Sequence, residues 1–192
     1  MLYEILRPVA VFLFKIYFRY KVKGRENIPL KGAFILASNH LSYLDPVFLG
    51  VCIKRKLSFM AKSELFKNKF FSLLIKTLGA FPVKRNTSDF KALKEAINRI
   101  KKGEILVIFP QGTRTKDKNA PPLKGIGFLV KKTRVPVICC RIFNTDLALP
   151  SGKKIIYPVR LKAVFSKPLD FSSESDSETI SFKILKKIYS LS

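Results

Sequence analysis

His40 is the chain's only imidazole, and Asp45 follows it five positions later in Asn39-His40-Leu41-Ser42-Tyr43-Leu44-Asp45-Pro46. A neutral imidazole takes up and returns a proton near neutral pH, which no other side chain here does without a large pKa shift. A carboxylate bonded to its second ring nitrogen fixes the tautomer and stabilises the imidazolium formed during a reaction. The pair is therefore a candidate general base and its orienting acid. Spacing alone leaves a plainer reading open, in which Asp45 caps a helix and His40 is a polar residue ending a strand. Cys52, Cys139 and Cys140 are an odd number in apolar contexts, which suits a reduced setting rather than a disulfide framework. No serine or cysteine sits in a recognisable nucleophile motif, and one histidine without a CxxC makes a zinc site improbable.

Three further stretches close apolar runs with basic or loop-forming residues. Lys62 ends Phe59-Met60-Ala61-Lys62, Arg85 ends Gly79-Ala80-Phe81-Pro82-Val83-Lys84-Arg85, and Gln111-Gly112-Thr113-Arg114 opens a long polar loop. If these strand ends converge on His40, three cations, a hydroxyl and glycine N–H groups surround one imidazole. Arginine grips phosphate through two prongs, lysine acts as a point charge, and exposed N–H groups complete the cradle. Each basic residue alone is as readily a solvated charge, and Gly112-Thr113 an ordinary turn. Only the set is informative.

The elements that must place these residues follow from periodicity. Ala33–Ser38 reads as a buried strand ahead of His40, and Asp45 to Ile53 as a helix with Asp at its cap and Pro at its first position. Further strands are expected at Tyr20–Lys23, Leu57–Ala61, Ala80–Val83, Ile105–Phe109, Val135–Ile142 and, half-exposed, Ile155–Val164. Helices are expected over Phe66–Leu78 and from Phe90 to Ile100, the latter started by Ser88 or Thr87 and stopped by Gly103. Pro110 to Leu123 is too long to be a mere connector. The alternation predicts an α/β fold: a single domain over 21–170 with a mixed central sheet flanked by helices.

Residues 1–20 form a distinct unit. On a helical wheel Glu4, Arg7, Lys15 and Arg19 share one arc, and the rest carries Leu2, Ile5, Leu6, Val9, Phe12, Leu13, Ile16 and Tyr17. Its uninterrupted apolar run, Pro8 to Phe14, is too short to span a bilayer and makes a poor signal peptide. An N-terminal amphipathic helix of this kind suits the membrane interface, or packing on the domain's own core. At the other end, 171–192 reads as a mobile serine-rich and acidic link before a short basic helix, Thr179 to Tyr189. The formal net charge of +24, from 37 Lys and Arg against 13 Asp and Glu, attracts anions of any kind: nucleic acid, anionic lipid or an acidic carrier protein. Nucleic acid is the less expected partner, because no helix-turn-helix, zinc-finger or RNA-stacking motif appears.

Taken together, the blocks resemble the glycerolipid acyltransferase family. Its His-x4-Asp motif reads here as His40 to Asp45, its Gly-to-Arg block as Gly79 to Arg85, its Glu-Gly-Thr-Arg block as Gln111 to Arg114, and its Val-Pro-Val block as Val135-Pro136-Val137. Lys62 also resembles a lysine the family uses near phosphate. The likeness covers about residues 20 to 145 in the right order. Two departures stand out: Gln111 where the family usually has Glu, and Lys84 where an acidic residue often precedes the arginine. The resemblance implies transfer of a fatty acyl group from acyl-CoA or acyl-ACP to the free hydroxyl of lysophosphatidic acid or a related acceptor, such as another lyso-lipid or glycerol 3-phosphate. It implies His40 and Asp45 as catalytic residues, with Lys62, Arg85, Gln111, Gly112, Thr113 and Arg114 binding substrate. It implies neither metal nor cofactor, and a peripheral or monotopic place on the cytoplasmic face of the membrane. Gln111 also keeps open a noncatalytic membrane-surface protein of the same fold.

Overall fold

The most apolar runs of the sequence become the middle of the sheet, because strands covered on both faces bury every side chain. The computed structural model describes residues 2–84 and 89–192. In chain order the elements are α1 (Leu2–Phe18), β1 (Lys21–Lys23), β2 (Phe34–Ser38), α2 (Asp45–Cys52), β3 (Leu57–Lys62), α3 (Lys69–Thr77) and β4 (Ala80–Val83). They continue with α4 (Phe90–Lys101), β5 (Ile105–Ile108), α5 (Gly125–Thr133), β6 (Val137–Phe143), α6 (Thr145–Ala148), β7 (Lys162–Phe165) and α7 (Ser177–Ser190). Among the described residues the strands form one sheet in the order β1-β7-β6-β2-β5-β3-β4. β6 and β7 run antiparallel and the other neighbours parallel, so the sheet is mixed, as expected.

β2 lies between β5 and β6, with Leu36 in register with Val107 on one side and Ile138 on the other. Successive residues point to opposite faces. Phe34 and Leu36 pack with Phe14 and Phe18 of α1 and Phe48 and Leu49 of α2. Ile35 and Ala37 pack with Ala96 of α4, Leu129 of α5, and Ile180 and Ile184 of α7. The C-terminal helix is thus part of the second core.

α1 is seated by Arg7, whose Nε donates to the carbonyls of Gly50 and Ile53 and whose Nη2 donates to Val51. A cation at the C-terminal end of α2 satisfies carbonyls left without helical partners and meets the negative end of the helix dipole. Phe14 and Phe18 are buried, whereas Ile5, Val9, Phe12, Leu13 and Ile16 stay exposed. The helix therefore covers the core with one face and leaves a second apolar face bare. No helix among the described residues is long and apolar enough to cross a membrane.

Three local expectations change. Asp45 is the first residue of α2 rather than its cap, which is Leu44. The expected helix over 66–78 begins later, at Lys69, behind a 3-10 turn at Ser63–Phe66. The strand expected over 155–164 shrinks to Lys162–Phe165, because the preceding backbone bonds elsewhere: Tyr157 N–H to Ala148, Leu161 N–H to Phe18. α5 forms over Gly125–Thr133, where no element was expected. Gly127 is there for packing, since a Cβ would lie 1.8 Å from the carbonyl oxygen of Ser177. The start of α4 expected at Thr87 or Ser88 lies outside the described residues; Asp89 caps the helix, its side chain accepting from Ala92 N–H.

Candidate active site

β2 hands the chain to the site through Asn39, whose amide substitutes for two ladder bonds. Its Oδ1 accepts from Ile142 N–H at 2.7 Å and its Nδ2 donates to the Ile142 carbonyl at 2.9 Å. Clamped there, the backbone turns, and His40 emerges beyond the carboxyl end of a central strand. That is where reactive groups gather in open α/β sheets.

His40 Nδ1 lies 2.7 Å from Asp45 Oδ2. The same oxygen accepts the backbone N–H groups of Leu41 at 2.6 Å and Ser42 at 2.8 Å. The turn between the two residues therefore wraps around the carboxylate, which is 0% exposed. None of its bonds comes from the N–H groups of Val47 or Phe48, so Asp45 serves the imidazole and its turn rather than its helix. Facing a carboxylate, Nδ1 carries the ring proton and Nε2 keeps its lone pair. Phe109 stacks on the ring, centroids 4.1 Å apart and planes 17° apart, which fixes the direction of the Nε2 edge.

His40 opens on a cleft of about 1060 Å³ that Lys62, Gln111, Gly112 and Thr113 also line. Its apolar walls include Met60, Leu93, Phe109, Ile126 and Leu129. The walls thus come from β3, α4, α5 and the end of β5, whereas residues 66–78 contribute nothing to them. Lys62 pairs with Glu64 at 3.3 Å, and Lys84 and Asp89 stand on the same rim, so the charges of the cleft are mixed. Arg114 is held with its guanidinium 3.7 Å from the centroid of Tyr43. It does not line the cleft itself, but its chain neighbours do the joining: Thr113 lines it, and Thr115 N–H bonds the His40 carbonyl at 3.0 Å. Arg85 lies outside the described residues. Of the expected set, then, the structure gathers His40, Asp45, Lys62 and residues 111–113, with Arg114 at their edge.

The loop after β5 is held by Gln111. Its Nε2 donates to the carbonyls of Asp117 at 2.8 Å and Ala120 at 3.3 Å, and its Oε1 accepts from Tyr189 OH at 3.0 Å. Burial raises the pKa of the Tyr189 hydroxyl, so it remains a donor. Gly112 follows in the left-handed region at φ 67°, where a Cβ would come within 2.4 Å of Leu123. Glutamate at 111 would turn an acceptor toward two carbonyls. Gln111→Glu is expected to lose about 1–3 kcal/mol of stability, read as a fall in Tm of several degrees. An unchanged Tm would show that the amide bonds do not hold the loop.

Asn39 and Tyr189 were not singled out from sequence. Asn39 stood inside the motif, but a side chain that replaces strand bonds leaves no periodic trace. Tyr189 is 78 residues from its partner Gln111. The three cysteines are buried, and burial pushes the thiols of Cys52 and Cys139 up to about 12, which leaves no thiolate nucleophile among them.

A family model described as Acyltransferase matches residues 19–143. The chain is 33% identical over 150 residues to the 1-acyl-sn-glycerol-3-phosphate acyltransferase of Bacillus subtilis (strain 168), covering 78% of this chain and 73% of that protein. A protein of the same name from Streptococcus pneumoniae is 32% identical over 176 residues, covering 90% of this chain and 64% of its own. The crystal structure of the 1-acyl-sn-glycerophosphate (LPA) acyltransferase PlsC from Thermotoga maritima aligns at a TM-score of 0.75 and 27% identity, covering 96% of this chain and 79% of that one. With sequence blocks, overall fold and relatives in agreement, the chain belongs to the acyltransferase family and is an O-acyltransferase.

Proposed function

We propose that the protein transfers a fatty acyl group from a thioester, acyl-CoA or acyl-ACP, to the free hydroxyl of lysophosphatidic acid, giving phosphatidic acid for phospholipid synthesis. The observation that carries this reading is the buried His40–Asp45 pair opening on a cleft that is apolar along its walls and carries Lys62 at its rim. The relatives' names supply the acceptor class.

In this mechanism Nε2 of His40 removes the proton of the acceptor hydroxyl as its oxygen attacks the thioester carbonyl. The imidazolium that forms is stabilised by Asp45. When the tetrahedral intermediate collapses, the C–S bond breaks and the thiolate takes the proton back from Nε2. The substrate brings its own nucleophile, so no covalent enzyme intermediate is needed. Lys62, Arg85 and Arg114 hold the acceptor phosphate. Gln111 keeps the loop in shape so that Gly112 and Thr113 complete the cradle. Leu93, Ile126 and Leu129 receive the acyl chain. The bare face of α1 lies in the cytoplasmic leaflet and keeps the cleft near its lipid substrate.

The decisive assay is purified protein with lysophosphatidic acid and each donor in turn, the product lipid identified by mass spectrometry. Phosphatidic acid formation supports the reading. Product only with glycerol 3-phosphate or another lyso-lipid would move the acceptor. Arg114→Ala is expected to raise the acceptor KM about 10–100-fold, the size of one lost charge-assisted contact, with kcat changed less. An unchanged acceptor KM would remove Arg114 from the phosphate site.

A further inference from the structure

Helix α3 is turned inside out. Of its residues only Ser72 is buried, while Phe70 is 87% and Leu73 68% exposed, with Phe71 and Leu74 exposed beside them. A short helix of this composition ordinarily hides its apolar stripe against the sheet. Scattered exposed apolar residues need no explanation, but a contiguous group on one short helix does. The exposed lysines Lys67 and Lys69 stand at its start and Lys76 at its end. Two cations at a helix N-terminus oppose the positive end of the dipole, so helix stability does not account for them. Aromatic and aliphatic side chains rimmed by lysines complement a bilayer with anionic head groups, apolar within and negative at its surface.

Position agrees with chemistry. α3 follows directly on Lys62 and Glu64, which line the cleft. The β2–β3 and β3–β4 connections step the same way along the sheet. Right-handed crossovers then put α2 and α3 on one face, the face that α1 also covers.

We propose that α3 is a second lipid-inserting element, which sinks Phe70 and Leu73 into an anionic bilayer and turns the cleft toward it; this rests on the reading of the chain as a lipid acyltransferase. The chain contains no Trp, so single reporters are unambiguous. Phe70→Trp is expected to shift its emission to the blue on phosphatidylglycerol vesicles, to be quenched by brominated acyl chains, and to respond far less to phosphatidylcholine vesicles. Phe12→Trp reports α1 in the same assay. An unchanged Phe70→Trp spectrum on phosphatidylglycerol would overturn the proposal. If Phe12→Trp alone shifts, α1 is the sole lipid contact of the two and the acyltransferase reading survives. The double variant Phe70→Ser/Leu73→Gln is expected to partition onto phosphatidylglycerol about tenfold less or weaker still. Its Tm and its turnover of acceptor dispersed in detergent micelles should match the parent. Parental partition by that variant would also overturn the proposal. Micellar turnover is read separately from binding, so an inactive protein and a helix that stays dry give different results.

Discussion

His40→Ala is expected to lower kcat for acyl transfer by on the order of 10²–10⁴-fold, the usual contribution of a positioned general base, while the protein stays folded. The physical case rests on three contacts. Nδ1 is committed to Asp45 at 2.7 Å, Phe109 stacks against the ring, and the residue lines the cleft. The base that faces substrate is therefore Nε2. Alanine leaves Asp45 Oδ2 with the N–H groups of Leu41 and Ser42, so the carboxylate keeps partners and the turn survives. Steady-state kinetics beside a thermal melt separates chemistry from folding. Added imidazole should restore part of the rate, because the space against Phe109 fits the missing ring. A folded variant with parental kcat would remove His40 from the mechanism.

The second large effect is expected at Asp45→Asn. An amide oxygen at the place of Oδ2 still accepts from His40, Leu41 and Ser42, so the turn keeps its shape. Oδ1 is buried without a hydrogen-bond partner among the described residues, and the amide NH₂ falls there. A buried donor without an acceptor costs about 1–3 kcal/mol, a fall in Tm of several degrees. What the substitution removes is the negative charge that stabilises the imidazolium and holds the proton on Nδ1. Loss of that role costs up to on the order of 10⁴-fold in kcat where it has been isolated in serine proteases. A fall of 10²-fold or more with little change in either KM is the expected result. A kcat within twofold of the parent would mean that Asp45 is merely a structural acceptor. These measurements separate the two readings that spacing left open, and the geometry already disfavours the plainer one, since the carboxylate takes no bond from its own helix.

Much of the fold was legible in advance because it depends on local pattern. Apolar runs at 33–38, 80–83, 105–109 and 135–142 read as strands, and strands were found at Phe34–Ser38, Ala80–Val83, Ile105–Ile108 and Val137–Phe143. α4, with a strong 3.6-residue period, was placed at Phe90–Lys101 to within a residue at its C-terminal end. Misreadings came where partners lie far along the chain. The alternation at 155–161 looks like strand, but the Tyr157 and Leu161 N–H groups bond Ala148 and Phe18, outside the sheet. No element was expected at α5, where Gly127 is small because α7, fifty residues later, passes against it.

By itself, the sequence determined that an imidazole with a carboxylate five residues on follows a buried strand, that basic residues close two further apolar runs, and that the chain is apolar and basic enough to meet an anionic lipid surface. These are matters of residue type and short-range spacing. Only the tertiary structure decided that Asp45 turns toward His40 and not toward its helix, that Gln111 is spent on the loop and Tyr189, and that α3 shows its rings to solvent. Each of those depends on which distant group occupies a side chain's other face, and a hydrogen bond across 78 residues has no signature in either partner's neighbourhood.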